Sequence, residues 1–106
     1  GAAGSTGRGE ANLYGLSSFR IVEQLRRGMR PKDAGMEALH RIKAHTVEKR
    51  LLNGRGLPNF NVAFYVLAAD GAHAGVSLYA STYAACDANG PVTLKTEALF
   101  EGRPFD

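Results

Sequence analysis

Between Leu16 and Leu25 the apolar positions Leu16, Phe19 and Val22, with Ile21 and Leu25 beside them, recur at helical spacing. Ser17 or Ser18 is placed to cap the start of this first helix and Gly28 to stop it, and Glu23 and Arg27 make an i, i+4 pair on its outer face. Arg30-Pro31-Lys32-Asp33 reads as a second start, because Pro31 at the first helical position loses an N–H that would have no partner and Asp33 faces the positive end of the dipole. The second stripe is Met36, Leu39 and Ile42, with Ala34, Ala38 and Val47 alongside and Glu37 and Arg41 paired outside; it fades from Glu48 to Leu52. Two glycines and a proline make Asn53 to Asn59 a loop. Beyond it the period changes. Asn61 to Ala68 is a near-continuous apolar run, as in a strand covered on both faces, Asp70-Gly71 supplies a hairpin turn, and Gly75 to Tyr79 pairs back. Tyr83 to Asp87, Asn89-Gly90 and Val92 to Leu94 make a second hairpin.

The order is therefore a small-residue opening strand, two helices, then antiparallel strands, an α/β (α+β) class in a single segment spanning residues 1–106. Two helices cover one face of such a sheet, while the Val62 strand is apolar throughout and the opening strand has no evident partner, so a further layer is expected. Gly1-Ala2-Ala3-Gly4-Ser5-Thr6-Gly7 suits the interior of a crowded sheet better than a free terminus, and we expect it to be the later portion of something longer.

Composition narrows the classes. At 44% hydrophobic and 22% charged residues, the 106-residue chain is neither disordered nor collagen-like. Its one cysteine, Cys86, closes no internal disulfide, and its apolar neighbours predict a buried, reduced thiol. The longest apolar run, Val62 to Ala69, falls short of the roughly 18–20 residues of a membrane helix. The net charge of +3 is spread over helices and tail among Glu23, Asp33, Glu37 and Glu48, which describes solvated faces rather than a nucleic-acid patch. A separate reading, nucleic-acid binding through Arg26 to Lys32, would require affinity that falls steeply with salt.

His40, His45 and His73 have no cysteine or carboxylate at ligand spacing, so neither a metal nor another cofactor is expected, and no serine or cysteine stands in a nucleophile-elbow context. The segment Ser5-Thr6-Gly7-Arg8-Gly9-Glu10 differs from the rest. Alternate glycines at the end of a strand expose main chain, their N–H groups can point at a developing oxyanion, and the Thr6 hydroxyl can add a hydrogen bond. It also lacks the third glycine of a dinucleotide-binding fingerprint, and a simple turn after a strand would use the same residues.

Gly1 to Glu10, followed by Val22-Glu23-Gln24-Leu25-Arg26-Arg27-Gly28 and by Arg30-Pro31-Lys32-Asp33-Ala34 into Ala38-Leu39-His40-Arg41-Ile42, resembles the later part of the β-subunit of glycosylasparaginases (aspartylglucosaminidases). The likeness runs on through the Asn61–Ala68 strand, Asp70-Gly71 and Gly75, and fades after Leu94. It implies the N-terminal nucleophile hydrolase fold, an αββα sandwich with antiparallel sheets that would supply the missing layer, and a precursor that cuts itself to free an N-terminal threonine nucleophile. It implies cleavage of the side-chain amide of asparagine carrying N-acetylglucosamine. It assigns Thr6, by its hydroxyl, and Gly7, by its N–H, to the oxyanion site, Gly9 to the aspartyl end of the substrate through its main chain, with Arg8 beside it.

The nucleophile, the arginine and aspartate that hold the substrate's α-carboxylate and α-amine, and the self-cleavage junction have no counterpart here. Thr6 is not that threonine, since its amine lies within a peptide bond. The resemblance thus implies that the chain alone is inert. Its implied partners are an α-chain and the remainder of the β-chain in an (αβ)2 assembly, with no nucleic acid or membrane; relatives are lysosomal or exported. The isoaspartyl peptidase/L-asparaginase branch shares a Thr-Gly-x-Gly-Glu segment and is the near alternative. A non-catalytic α/β module that binds a partner by its open sheet is the alternative from another class.

Overall fold

Pro31 starts a helix and Asp70-Gly71 turns a hairpin in the computed structural model, which describes residues 1–106. Strand β1 (Ala2–Gly7) leads into α1 (Gly9–Gly15), α2 (Ser17–Arg26) and α3 (Pro31–His45). A 3-10 turn at Lys49–Leu51 precedes β2 (Val62–Leu67), β3 (His73–Ser77), β4 (Thr82–Asp87), β5 (Gly90–Lys95) and the short β6 (Glu97–Ala98). The α+β class is as the sequence predicts. The main sheet runs β1-β2-β3-β6, and β4-β5 form a separate two-stranded sheet. β1, β2 and β3 pair antiparallel, but β6 joins β3 in parallel, so the main sheet is mixed. No helix is long and apolar enough to cross a membrane.

The pleat divides the sheet. Val62, Phe64 and Val66 of β2 and Val76 of β3 face the helices, where Ile21 of α2 and Ala34, Ala38, Leu39 and Ile42 of α3 complete the core. Phe64, Leu39 and Ile21 are fully buried, each such burial contributing about 1.5–3 kcal/mol. Register puts Ala2, Gly4 and Thr6 on the opposite face with Tyr65, Leu67 and Gly75. The β4-β5 hairpin stands over that face through Tyr83, whose ring lies 2.5 Å from where a Cβ on Gly75 would sit and 6.1 Å from the Tyr65 ring. Between hairpin and sheet lies a mostly apolar cleft of about 870 Å³.

Several expectations are corrected. β1 does have a partner, pairing with β2 over its whole length, which local periodicity cannot reveal. The helical layer holds three helices, because the chain turns helical at Gly9; Leu16, at φ 47°, links α1 to α2 in a left-handed conformation. Neither Ser17 nor Ser18 caps α2, and Phe19 is 68% exposed, since only the Ile21 side of α2 reaches the core. Val47 lies beyond the end of α3 and is exposed. Glu23 pairs with Arg26 at i+3 rather than with Arg27, whereas Glu37 and Arg41 pair as expected. Cys86 is exposed, because it lies beside the turn of a hairpin that nothing covers on its outer side.

The β2-β3 turn carries a pH dependence. Asp70 accepts a hydrogen bond from the Ala72 N–H at 2.9 Å and one from Arg30 at 3.2 Å, which together hold its carboxyl below the ordinary aspartate value. A folded-state value below the unfolded one stabilises the turn above the unfolded pKa, and this support is lost as pH falls through the folded value. Asp70→Asn should therefore flatten the acid limb of the Ala72 amide's exchange protection, read by NMR between pH 6 and acid.

Candidate functional site

Thr6 and Gly7 end β1 at the edge of the sheet, and the ladder decides what their main chain can do. The Arg8 N–H donates to the Asn61 carbonyl at 3.2 Å, and the Leu78 N–H to that of Val62 at 3.1 Å. Antiparallel bonds alternate, so Thr6, opposite Ala63, falls in a hydrogen-bonded pair and Gly7, opposite Val62, does not. The Thr6 carbonyl therefore points into the sheet, and the Gly7 N–H of the same planar peptide points outward from the free edge of β1. The Thr6 side chain lies on the helix-free face. One hydroxyl and one amide are thus presented side by side, with both residues exposed.

Gly7 has φ +116°, a region that favours glycine, and a Cβ there would fall on the Asn61 carbonyl oxygen and 2.8 Å from Val62 Cα. Asn61 holds this corner. Its Oδ1 accepts the Val62 and Tyr79 N–H groups, each at 3.0 Å, and its Nδ2 donates to the Tyr79 carbonyl at 3.1 Å. The buried Tyr79 is fixed at its other end, where its hydroxyl donates to the Pro58 carbonyl at 2.5 Å; burial pushes this phenol above its ordinary pKa. Asn61→Ala would leave the Tyr79 N–H without its partner, while the Tyr79 carbonyl keeps the Ser77 hydroxyl, and should destabilise the chain by about 2 kcal/mol in urea unfolding, with the largest shift changes at Gly7 and Arg8.

From below, the Asn12 side chain donates to the Ser5 hydroxyl, tying α1 to β1. Gly9 is the first residue of α1 and exposed, with open space where a Cβ would be. Arg8 is placed differently from its neighbours: its guanidinium lies 5.2 Å from the centre of the Phe60 ring, a cation–π contact on the helix side, turned away from the Thr6 face. The structure therefore brings Thr6, Gly7 and Gly9 together on an exposed corner and separates the Arg8 side chain from them. Thr6, Gly7 and Gly9 carry no group that titrates near neutral pH. The corner can donate hydrogen bonds to a negative oxygen but cannot shuttle a proton. Sequence reasoning missed Asn61, whose one signal is an amide side chain immediately ahead of a buried apolar run.

Over 75 residues the chain is 32% identical to a protein of Arabidopsis thaliana described as "Probable isoaspartyl peptidase/L-asparaginase 3". The chain is similar to an asparaginase-type amidohydrolase. The match covers 71% of this chain but 18% of that protein, so the chain spans less than a fifth of the length of the curated relative it matches. No family model matches the chain.

Proposed function

We propose that this chain is part of an amidohydrolase that cleaves the side-chain amide of asparagine, with asparagine bearing N-acetylglucosamine as the preferred substrate. The supporting observation is the outward Gly7 N–H beside the Thr6 hydroxyl, two donors on an exposed corner with no proton-transfer group of their own. In this reading the nucleophile is a freed N-terminal threonine outside the present sequence, held in an αββα sandwich whose further layer covers the face bearing Thr6. Its hydroxyl attacks the amide carbonyl carbon and its α-amine takes the proton. The carbonyl oxygen becomes negative and receives hydrogen bonds from Thr6 and Gly7. The C–N bond then breaks, the amine leaves with the proton, and water resolves the ester to aspartate. Gly9 offers main chain to the aspartyl end. The assembly in this reading is a self-cleaved (αβ)2 heteromer.

A second reading, hydrolysis of β-aspartyl peptides or free asparagine, is favoured by the similarity to the plant isoaspartyl peptidase/L-asparaginase. The complete gene product decides between them when its rates are compared on N-acetylglucosaminyl-asparagine, asparagine and a β-aspartyl dipeptide. Fastest turnover of the glycosylated substrate is expected. A preference for the dipeptide selects the second reading, and turnover of none of the three overturns the amidohydrolase assignment.

A further inference from the structure

A second cavity, of about 210 Å³, lies on the helix side between α1, α2, the last turn of α3 and the 3-10 turn. We infer that it binds a small tetrahedral oxyanion, phosphate or sulfate, free or as a monoester. Four arginines line it, Arg8, Arg20, Arg41 and Arg50, against the two carboxylates Glu10 and Glu48, the latter already paired with Arg50.

How these arginines are held carries the inference. Arg20 donates through Nε to the Gly15 carbonyl at 3.2 Å, Arg41 through Nε to Glu37, and Arg50 through Nε to Glu48 at 2.8 Å. In all three, the anchored nitrogen fixes the plane of the guanidinium and the two terminal nitrogens have no acceptor in the protein. Three arginines outside the cavity engage their terminal nitrogens instead. Arg26 binds Glu23 through Nε and a terminal nitrogen, Arg30 reaches Asp70 with a terminal nitrogen, and Arg55 gives both of its terminal nitrogens to the carbonyls of Glu101 and Arg103. A planar fork with free terminal N–H groups matches two oxygens of a phosphate or sulfate, and several such forks around one cavity leave the full set of oxygens with donors.

The remaining features are compatible with a small anion. The last turn of α3 would oppose one through its carbonyls, but Thr46 takes up two of these, its hydroxyl donating to Ile42 at 2.6 Å and its N–H to Lys43 at 3.2 Å. Arg41 and Arg50 are 44% and 69% exposed, so an ion can reach them from solvent. The volume is below that of a drug-sized pocket and suits an oxyanion with a short substituent.

Arginine labelling with phenylglyoxal, mapped residue by residue by mass spectrometry on the complete gene product, tests this without reference to catalysis. Sodium phosphate should slow labelling of Arg20, Arg41 and Arg50 at least tenfold over sodium chloride of equal ionic strength, saturably, while Arg26 and Arg27 react as before. Methyl phosphate protecting at lower concentration than phosphate assigns the group to an ester, and the reverse order assigns it to the free ion. Arg20→Gln combined with Arg41→Gln should abolish the protection of Arg50. Arg20→Lys, which keeps the charge and loses the fork, should weaken protection severalfold and serves if the double variant does not fold. Equal slowing by phosphate and chloride, uniform slowing at every arginine, or full protection of Arg50 in the variants overturns the site.

Discussion

Gly7→Ala is expected to unfold the corner on which the proposed chemistry rests. A methyl group at φ +116° occupies a conformation that L residues rarely adopt, which costs about 1–3 kcal/mol, and overlap with the backbone at Asn61 and Val62 adds about as much again. Because the obstruction is main chain rather than the end of a flexible side chain, relief requires the end of β1 to leave β2, breaking the Arg8–Asn61 hydrogen bond. Urea unfolding should therefore show a loss of about 3–5 kcal/mol, with amide exchange fastest at Thr6 to Arg8. Gly9→Ala is the control, since its Cβ meets nothing within 4 Å; its cost should stay below about 1 kcal/mol.

Thr6→Val should divide activity from stability. The side chain is exposed on the helix-free face, and valine keeps its shape and suits a strand, so unfolding should move by less than about 0.5 kcal/mol. In the complete gene product the same change removes a donor to the developing negative oxygen, a loss of about 3 kcal/mol in the barrier, or roughly a hundredfold in kcat. KM should change little, because the oxygen carries its charge only in the transition state. Thr6→Ser, which restores the hydroxyl, should recover most of the rate. A kcat unchanged in Thr6→Val would remove Thr6 from the oxyanion role while leaving the fold assignment standing.

Elements governed by neighbours along the chain were legible in the sequence. β2 is apolar because Val62, Phe64 and Val66 face helices while Tyr65 faces the Tyr83 hairpin, and Pro31 and Asp70-Gly71 act within a single turn. Features set by distant partners were not. Helix α1 contains two glycines in seven residues, a poor helical sequence, and is held instead by the Asn12–Ser5 hydrogen bond and the left-handed Leu16. The pairing of β1 with β2 joins segments separated by the three helices, so no local period encodes it. At the candidate site, the residue types of Thr6, Gly7 and Gly9 could be read directly. The outward direction of the Gly7 amide required the register, and the turning of Arg8 onto Phe60 required the core to be placed first.

The free border of β1 has a practical bearing on handling the protein. From Gly1 to Gly7 it carries no charged side chain and no proline, two of the devices by which natural sheets discourage another molecule from adding a strand. Prepared by itself at high concentration, this polypeptide should stack edge to edge and precipitate, and a lysine in place of Ala2, several residues from the candidate site, is the economical remedy.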